Sequence, residues 1–279
     1  RLQIGSLPPE GSLLVHQGPA YAVSAVLPSP GGSPLLANVS LQDVHVRAAR
    51  RLRLLPGLQL KEAWGIVSEV DDGLEKTLNY AFSEKLGYLT SCPTNTGTGM
   101  RASVMLHLPG LKLTKQLYGV LNTIGKLGLT VRGLYGEGTE ALGDLFQISN
   151  QITLGQSEEE IIENLISITR QLLAQEQAAR RALYNERREA VEDRVFRAYG
   201  TLKYARILSS EEAMRLFSDL RLGLELKIIQ DVPAKILNEF MVKLRPAFLT
   251  KIAGRELSEY QRDAFRAELV RKEFNSCLA

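Results

Sequence analysis

The chain has 279 residues, 44% hydrophobic and 23% charged, the balance of an ordinary water-soluble globular protein of one large or two average domains. Lysine and arginine exceed aspartate and glutamate by 34 to 31, a net charge of +3 too small to argue for direct nucleic-acid binding. No apolar run is long enough to span a bilayer, and the N-terminus lacks the order of a secretion signal. The two cysteines, Cys92 and Cys277, form no disulfide framework and point to a reducing, cytoplasmic setting. With three scattered histidines there is no cluster at zinc spacing, and no protein-held metal is expected.

Residues 1–53 carry clustered prolines and glycines (Pro8-Pro9, Gly18-Pro19, Pro28, Pro30-Gly31-Gly32), no clear period, and a basic run from Arg47 to Arg53. An irregular segment is expected there. From Leu58 to Leu86 the apolar positions Leu60, Ala63, Val67, Val70, Leu74 and Leu78 predict a helix, with Gly87 as its stop. Tyr88–Thr90 reads as a strand, as does the alternating run Ala102–Leu108. A helix is expected over 113–127, a strand over 129–134, a glycine-rich loop over 135–143 and a strand over 145–153. Ser157-Glu158-Glu159-Glu160 is a capping-box pattern opening a long helix whose buried face is Ile161, Ile162, Leu165, Ile168, Leu172 and Leu173. Beyond about residue 178 no strand is predicted. Ser209-Ser210-Glu211-Glu212 opens another helix, Pro233 and Pro246 punctuate two more, and 258–274 reads as the last. The fold class is therefore α+β, an antiparallel sheet flanked by helices over residues 1–180, followed by an all-α domain over 181–279.

The most informative run is Ser91-Cys92-Pro93-Thr94-Asn95-Thr96-Gly97-Thr98-Gly99-Met100-Arg101-Ala102-Ser103-Val104-Met105. Pro93 restricts Cys92. The two glycines permit a positive φ or a close approach of backbone to a ligand. Arg101 then opens a strand. Read as residues alone, this is either a hairpin loop with an incidental thiol and guanidinium, or a sheet lip that approaches an anion. Arg132, at the end of the next predicted strand, has the same character. Glu137 and Glu140, in Tyr135-Gly136-Glu137-Gly138-Thr139-Glu140, are either solvated loop acids or carboxylates on a closing loop that pair with a cationic substrate and take its proton. Arg262 and Arg266 lie four apart on the last helix with Asp263 beside them, a pattern usually found on a solvated face.

The run from Ser91 to Pro109 resembles the signature of the phosphagen kinases, and more closely that of the bacterial protein-arginine kinases; the resemblance extends from about Leu54 to Glu273. It implies a phosphagen-kinase-like catalytic domain. Its ATP site would include Arg101, Ala102, Ser103, Val104 and Met105, and also Arg132, Gly133, Leu134, Tyr135, Gly136 and Glu137. It makes Glu137 the catalytic carboxylate, with Glu140 as its alternative, and Cys92 a thiolate that orients the substrate guanidinium. It further implies that Arg262, Asp263, Ala264, Phe265, Arg266 and Ala267, matching the family's Arg-Asp-x-x-Arg-Ala motif, line a phosphoarginine pocket. The implied reaction moves the γ-phosphoryl of ATP, with Mg²⁺, onto arginines exposed on protein substrates. The implied partners are a Clp ATPase and protease, a heat-shock repressor and a small zinc-binding activator, with homodimerisation through the helical domain.

Upstream of Leu54 the resemblance lapses. The family's Asn-Glu-Glu-Asp-His stretch is replaced by Val44–Ala49, which holds no carboxylate, and the Ser-Ser-Arg-x-Arg segment is missing. Counting back without a gap sets Arg50 at the family's ATP-binding arginine and His16 near a nucleotide-binding histidine, neither with matching neighbours. Either the N-terminal stretch is divergent or wrongly framed, or the family's active site has been dismantled. Three functions follow: a protein-arginine kinase, a kinase of a free guanidino metabolite, or a catalytically impaired phosphoarginine-binding adaptor.

Overall fold

The computed structural model describes residues 36–41, 51–90, 92–133 and 142–277. Five strands form the main sheet: β1 (Leu36–Leu41), β2 (Arg51–Pro56), β5 (Met100–His107), β6 (Leu129–Gly133) and β7 (Leu145–Asn150). Their order is β2-β1-β5-β7-β6, antiparallel throughout. A small hairpin, β3 (Phe82–Ser83) with β4 (Gly87–Tyr88), precedes the signature run. Around the sheet lie α1 (Leu60–Glu75), α2 (Pro109–Leu113), α3 (Leu117–Lys126) and α4 (Glu158–Glu186). The helical part follows with α5 (Arg188–Tyr204), α6 (Ser210–Glu225), α7 (Ala234–Lys243), α8 (Pro246–Ala253) and α9 (Glu259–Cys277).

Three expectations are corrected. The segment expected to be irregular contributes β1 and β2, and β1 pairs along β5 from Leu36↔Met105 to Leu41↔Met100. A six-residue run is too short to show a period; its state is set by the edge that β5 offers, whose unpaired N–H and C=O groups need a ladder partner. The helix expected over 58–86 stops at Glu75, and the chain turns into the β3–β4 hairpin, whose Tyr80 hydroxyl donates to Asp71 at 3.0 Å. The helix expected over 113–127 begins only at Leu117, as α3; Leu113 instead ends the separate short helix α2, and between them Lys115 takes a φ of 61° and Thr114 donates to Gly110 O at 2.8 Å.

The sheet has two unlike faces because successive side chains point to opposite sides. Ala102, Val104, Leu106, Phe146 and Ile148 pack with α1 and α4 into the first core, against Leu60, Ala63, Ile162 and Leu165. Burying each large aliphatic side chain there is worth about 1.5–3 kcal/mol relative to exposure. Ser157 caps α4 in a complete capping box with Glu160, as the sequence pattern required. The helical part has its own core around Val195, Leu220, Phe240 and Phe274, with Phe240 stacked between Phe217 and Phe274 at 5.3 and 6.3 Å. Among the described residues no strand follows β7.

Candidate functional site

The opposite face of the sheet is polar at one end. Register places Arg101, Ser103, Met105 and His107 of β5 beside Ser149, Gln147 and Leu145 of β7, and Thr130 and Arg132 of β6 beside Ser149 and Gln147. Arg101 and Arg132 therefore share one face. They are two strands apart, about 10 Å, and four residues apart along the strand direction, about 14 Å, at diagonally opposite corners. Both are half-buried. Ser103, at 2% exposure, accepts from Gln147 Nε2 at 2.8 Å between them. Of the other strand residues implicated in nucleotide binding, Met105 lies on this face, while Ala102 and Val104 lie in the core beneath, at 0% exposure. Those two can contribute only backbone and support.

The signature run leads directly into Arg101. Cys92 is half-buried with an extended backbone (φ −103°, ψ 115°), as Pro93 demands, and its Sγ lies 3.0 Å from the Thr94 hydroxyl. The next turn is clamped from the far end of β7: Thr153 Oγ1 donates to Thr94 O and Thr96 O at 3.0 and 2.8 Å, and Thr98 N–H donates to Thr153 O at 3.1 Å. This corrects the ligand-approach reading of Gly97. Its φ is 114°, and a Cβ there would stand 2.2 Å from Thr153 O, so the close approach is to the protein's own backbone.

Two groups near this face were missed by sequence reasoning. Asn150, 3% exposed, accepts from Ala102 N–H at 2.8 Å and donates to Met100 O and Ile152 O; it fixes the backbone on both sides of Arg101. Its signal was a polar residue at an apolar-face position of β7. At the other end, His107 Nε2 lies 2.8 Å from Ser218 Oγ, which donates to Asp144 Oδ2 at 2.6 Å, and Lys112 pairs with Asp144 Oδ1 at 2.5 Å. Burial, then the nearby Arg180 and Arg221 cations, hold the His107 imidazole well below its ordinary pKa. This chain of contacts ties β5 to α6.

The last helix presents the remaining candidates. Arg262 is half-buried and donates to Leu257 O at 3.0 Å. Arg266, at 1% exposure, donates to Leu244 O and Leu208 O at 3.0 and 2.6 Å and pairs with Asp263 at 2.5 Å. Ala267 is fully buried and Phe265 packs against the second core. Ala264 is half-buried. Arg262 and Asp263 thus retain surface, whereas Arg266 positions Asp263. Glu137, Glu140, Leu134, Tyr135, Gly136, Arg50 and His16 lie outside the described residues. Among the described residues no helix is long and apolar enough to cross a membrane, and no three His, Cys, Asp or Glu side chains are grouped to hold a metal ion.

Residues 48–179 match the family described as ATP:guanido phosphotransferase, C-terminal catalytic domain, and residues 188–279 match the protein-arginine kinase McsB C-terminal domain. A relative named protein-arginine kinase from Moorella thermoacetica is 50% identical over 95% of this chain and 76% of its own length. The chain belongs to the protein-arginine kinase family. A second protein-arginine kinase, from Pelotomaculum thermopropionicum, is 81% identical over 79% of this chain; the chain spans 62% of that relative's length. The duplicated taurocyamine kinase from Schistosoma mansoni, solved with transition-state analogue components, is 32% identical over 46% of this chain and 18% of its own, with a TM-score of 0.41. In protein-arginine kinase terms, the polar sheet face belongs to the guanido phosphotransferase segment, and Arg262–Ala267 to the C-terminal one.

Proposed function

We propose that this protein transfers the γ-phosphoryl of ATP to arginine side chains of other proteins. The observation that carries the reading is the shared sheet face of Arg101 and Arg132, in a chain whose family members are named for this activity. Two guanidiniums on one face suit a triphosphate, because each offers a fork of N–H donors to phosphate oxygens. Phosphoryl transfer needs positioning and charge neutralisation more than covalent help from the protein. Arg101 and Arg132 draw charge from the phosphates as the γ-phosphorus leaves ADP. The substrate guanidinium nitrogen attacks that phosphorus, and its proton passes to the Glu137 carboxylate. The Cys92 side chain orients the substrate guanidinium. Mg²⁺ would enter on the ATP phosphates themselves, as such ions usually do.

The C-terminal match favours a protein substrate over a free guanidino metabolite. A metabolite kinase has no use for a helical domain with Arg262 and Asp263 at its surface. The modified proteins would pass to a Clp ATPase and protease in the cytoplasm, with a heat-shock repressor as a substrate and a small zinc-binding protein as activator. Phosphoarginine would be held by Arg262 and Asp263. The test is incubation with ATP, Mg²⁺ and an arginine-rich protein. Acid-labile phosphate on arginine is expected, and its loss in Glu137→Gln. Phosphorylation of free arginine with none on protein would replace this reading with the metabolic one.

A further inference from the structure

A groove between α5 and α6 gathers three guanidiniums that neither the sheet face nor the α9 motif uses. It encloses about 270 Å³ and is lined by Arg194, Arg197, Thr201, Arg215 and Asp219. Two of the three arginines have a carboxylate partner. Arg194 Nε donates to Asp219 Oδ1 at 2.6 Å, and Arg197 Nε is shared between the Asp193 oxygens at 3.1 and 2.9 Å. Both pairs engage through Nε, so the terminal nitrogens of the two forks are not consumed. Arg215 is exposed and makes no hydrogen bond or ion pair with the described residues, although its charge is felt by Asp219. Three cations against two carboxylates leave the groove with a surplus positive charge.

We propose that this groove is an anion site for a phosphoryl group, held by Arg194, Arg197 and Arg215. The donor set selects the ligand class. A carboxylate is satisfied by one planar fork, whereas three forks from two helices match the three oxygens of a tetrahedral phosphoryl dianion. Asp219 is 3% exposed, and its pairing fixes Arg194 rather than meeting the ligand. The groove shares no residue with Arg262 and Asp263 and does not depend on the kinase reading. The phosphoryl group could be free or carried on a polypeptide.

The test titrates the full chain with inorganic phosphate, and separately with a peptide bearing one phosphoarginine, by calorimetry. Wild type is compared with Arg215→Gln and Arg197→Gln. Each variant is expected to weaken one binding component about tenfold or more, the usual consequence of losing a charge-assisted contact. That component should also fade as salt is raised. Because Arg215 is exposed and makes no hydrogen bond or ion pair with the described residues, Arg215→Gln removes only a screened attraction to Asp219, and its melting temperature should stay close to wild type. Peptide binding tighter than phosphate assigns a phosphorylated polypeptide; equal binding assigns the phosphoryl group alone. Binding of both ligands that is unchanged in both variants overturns the proposal.

Discussion

At the scale of single residues, the polar face depends on backbone geometry set by side chains far from it in sequence. Gly97 is the sharpest case. A side chain there would meet Thr153 O at 2.2 Å while φ stays at 114°. Gly97→Ala should cost about 2–4 kcal/mol, read from the midpoint shift in urea unfolding. An unchanged midpoint would show that the turn relaxes freely. Asp263 is the second case. Its pairing with buried Arg266 means that Asp263→Ala strips a partner from a buried cation, whereas Arg262→Ala leaves only a carbonyl contact behind. Phosphoarginine affinity should fall in both, by about tenfold or more. Thermal stability should fall measurably in Asp263→Ala alone. Equal stability losses would mean that Arg262 carries structural weight the hydrogen bonds do not show.

At the scale of elements, α4 is the helix that connects the sheet to its neighbours. Its apolar stripe continues into Glu176 and Arg180, at 0% and 4% exposure and 2.5 Å apart. Glu176 accepts from Gly110 N–H and Leu111 N–H, both at 2.8 Å, capping α2, and Arg180 donates to His107 O at 2.9 Å. One buried pair therefore joins α4, α2 and the end of β5. Burying a charge is tolerable only when it is paired and hydrogen-bonded. Glu176→Ala should cost about 3–5 kcal/mol by taking from buried Arg180 its nearest carboxylate and leaving it the more distant Glu225 at 3.8 Å, and Glu176→Ala with Arg180→Met should recover part of that in the same unfolding experiment. A double variant no better than the single would place the cost in the α2 cap instead.

At the scale of the molecule, the sheet and the helical part meet where β5 reaches α6. Met105, Leu145, Met214 and Met241 cluster there, beside His107, Ser218 and Asp144. Arg221, also buried there, is pushed down to about 10 by burial. His107 makes this junction acid-sensitive. Its folded pKa lies below its unfolded value, so the unfolded chain binds the extra proton. Stability is full above about pH 6.5 and falls as pH drops below it, by up to about 1.4 kcal/mol per pH unit. Burial raises the Asp219 carboxyl, which acts in the opposite sense, from the ordinary aspartate pKa upward. Urea midpoints measured from pH 7.5 to 5.5 should decline in wild type and flatten in His107→Gln; parallel slopes would remove His107 as the cause.

The sequence by itself determined the elements whose signal is local: the Ser157 cap and the α4 stripe, β5, β6 and β7 from their alternation, and the change to helices alone after β7. It also marked Arg101 and Arg132 as candidates, since guanidiniums at strand ends beside glycine turns are visible in a linear reading. Only the tertiary structure decided that these two share a face, because that depends on the β5-β7-β6 order and register, which no local pattern encodes. It alone recruited 36–41 and 51–56 into the sheet, through pairing with an edge some 60 residues away in the chain for β1. It alone separated Arg262, which keeps surface, from Arg266, whose guanidinium closes the helical core: two arginines four apart on one helix look alike in sequence, and what distinguishes them is which carbonyls the neighbouring segments bring within reach.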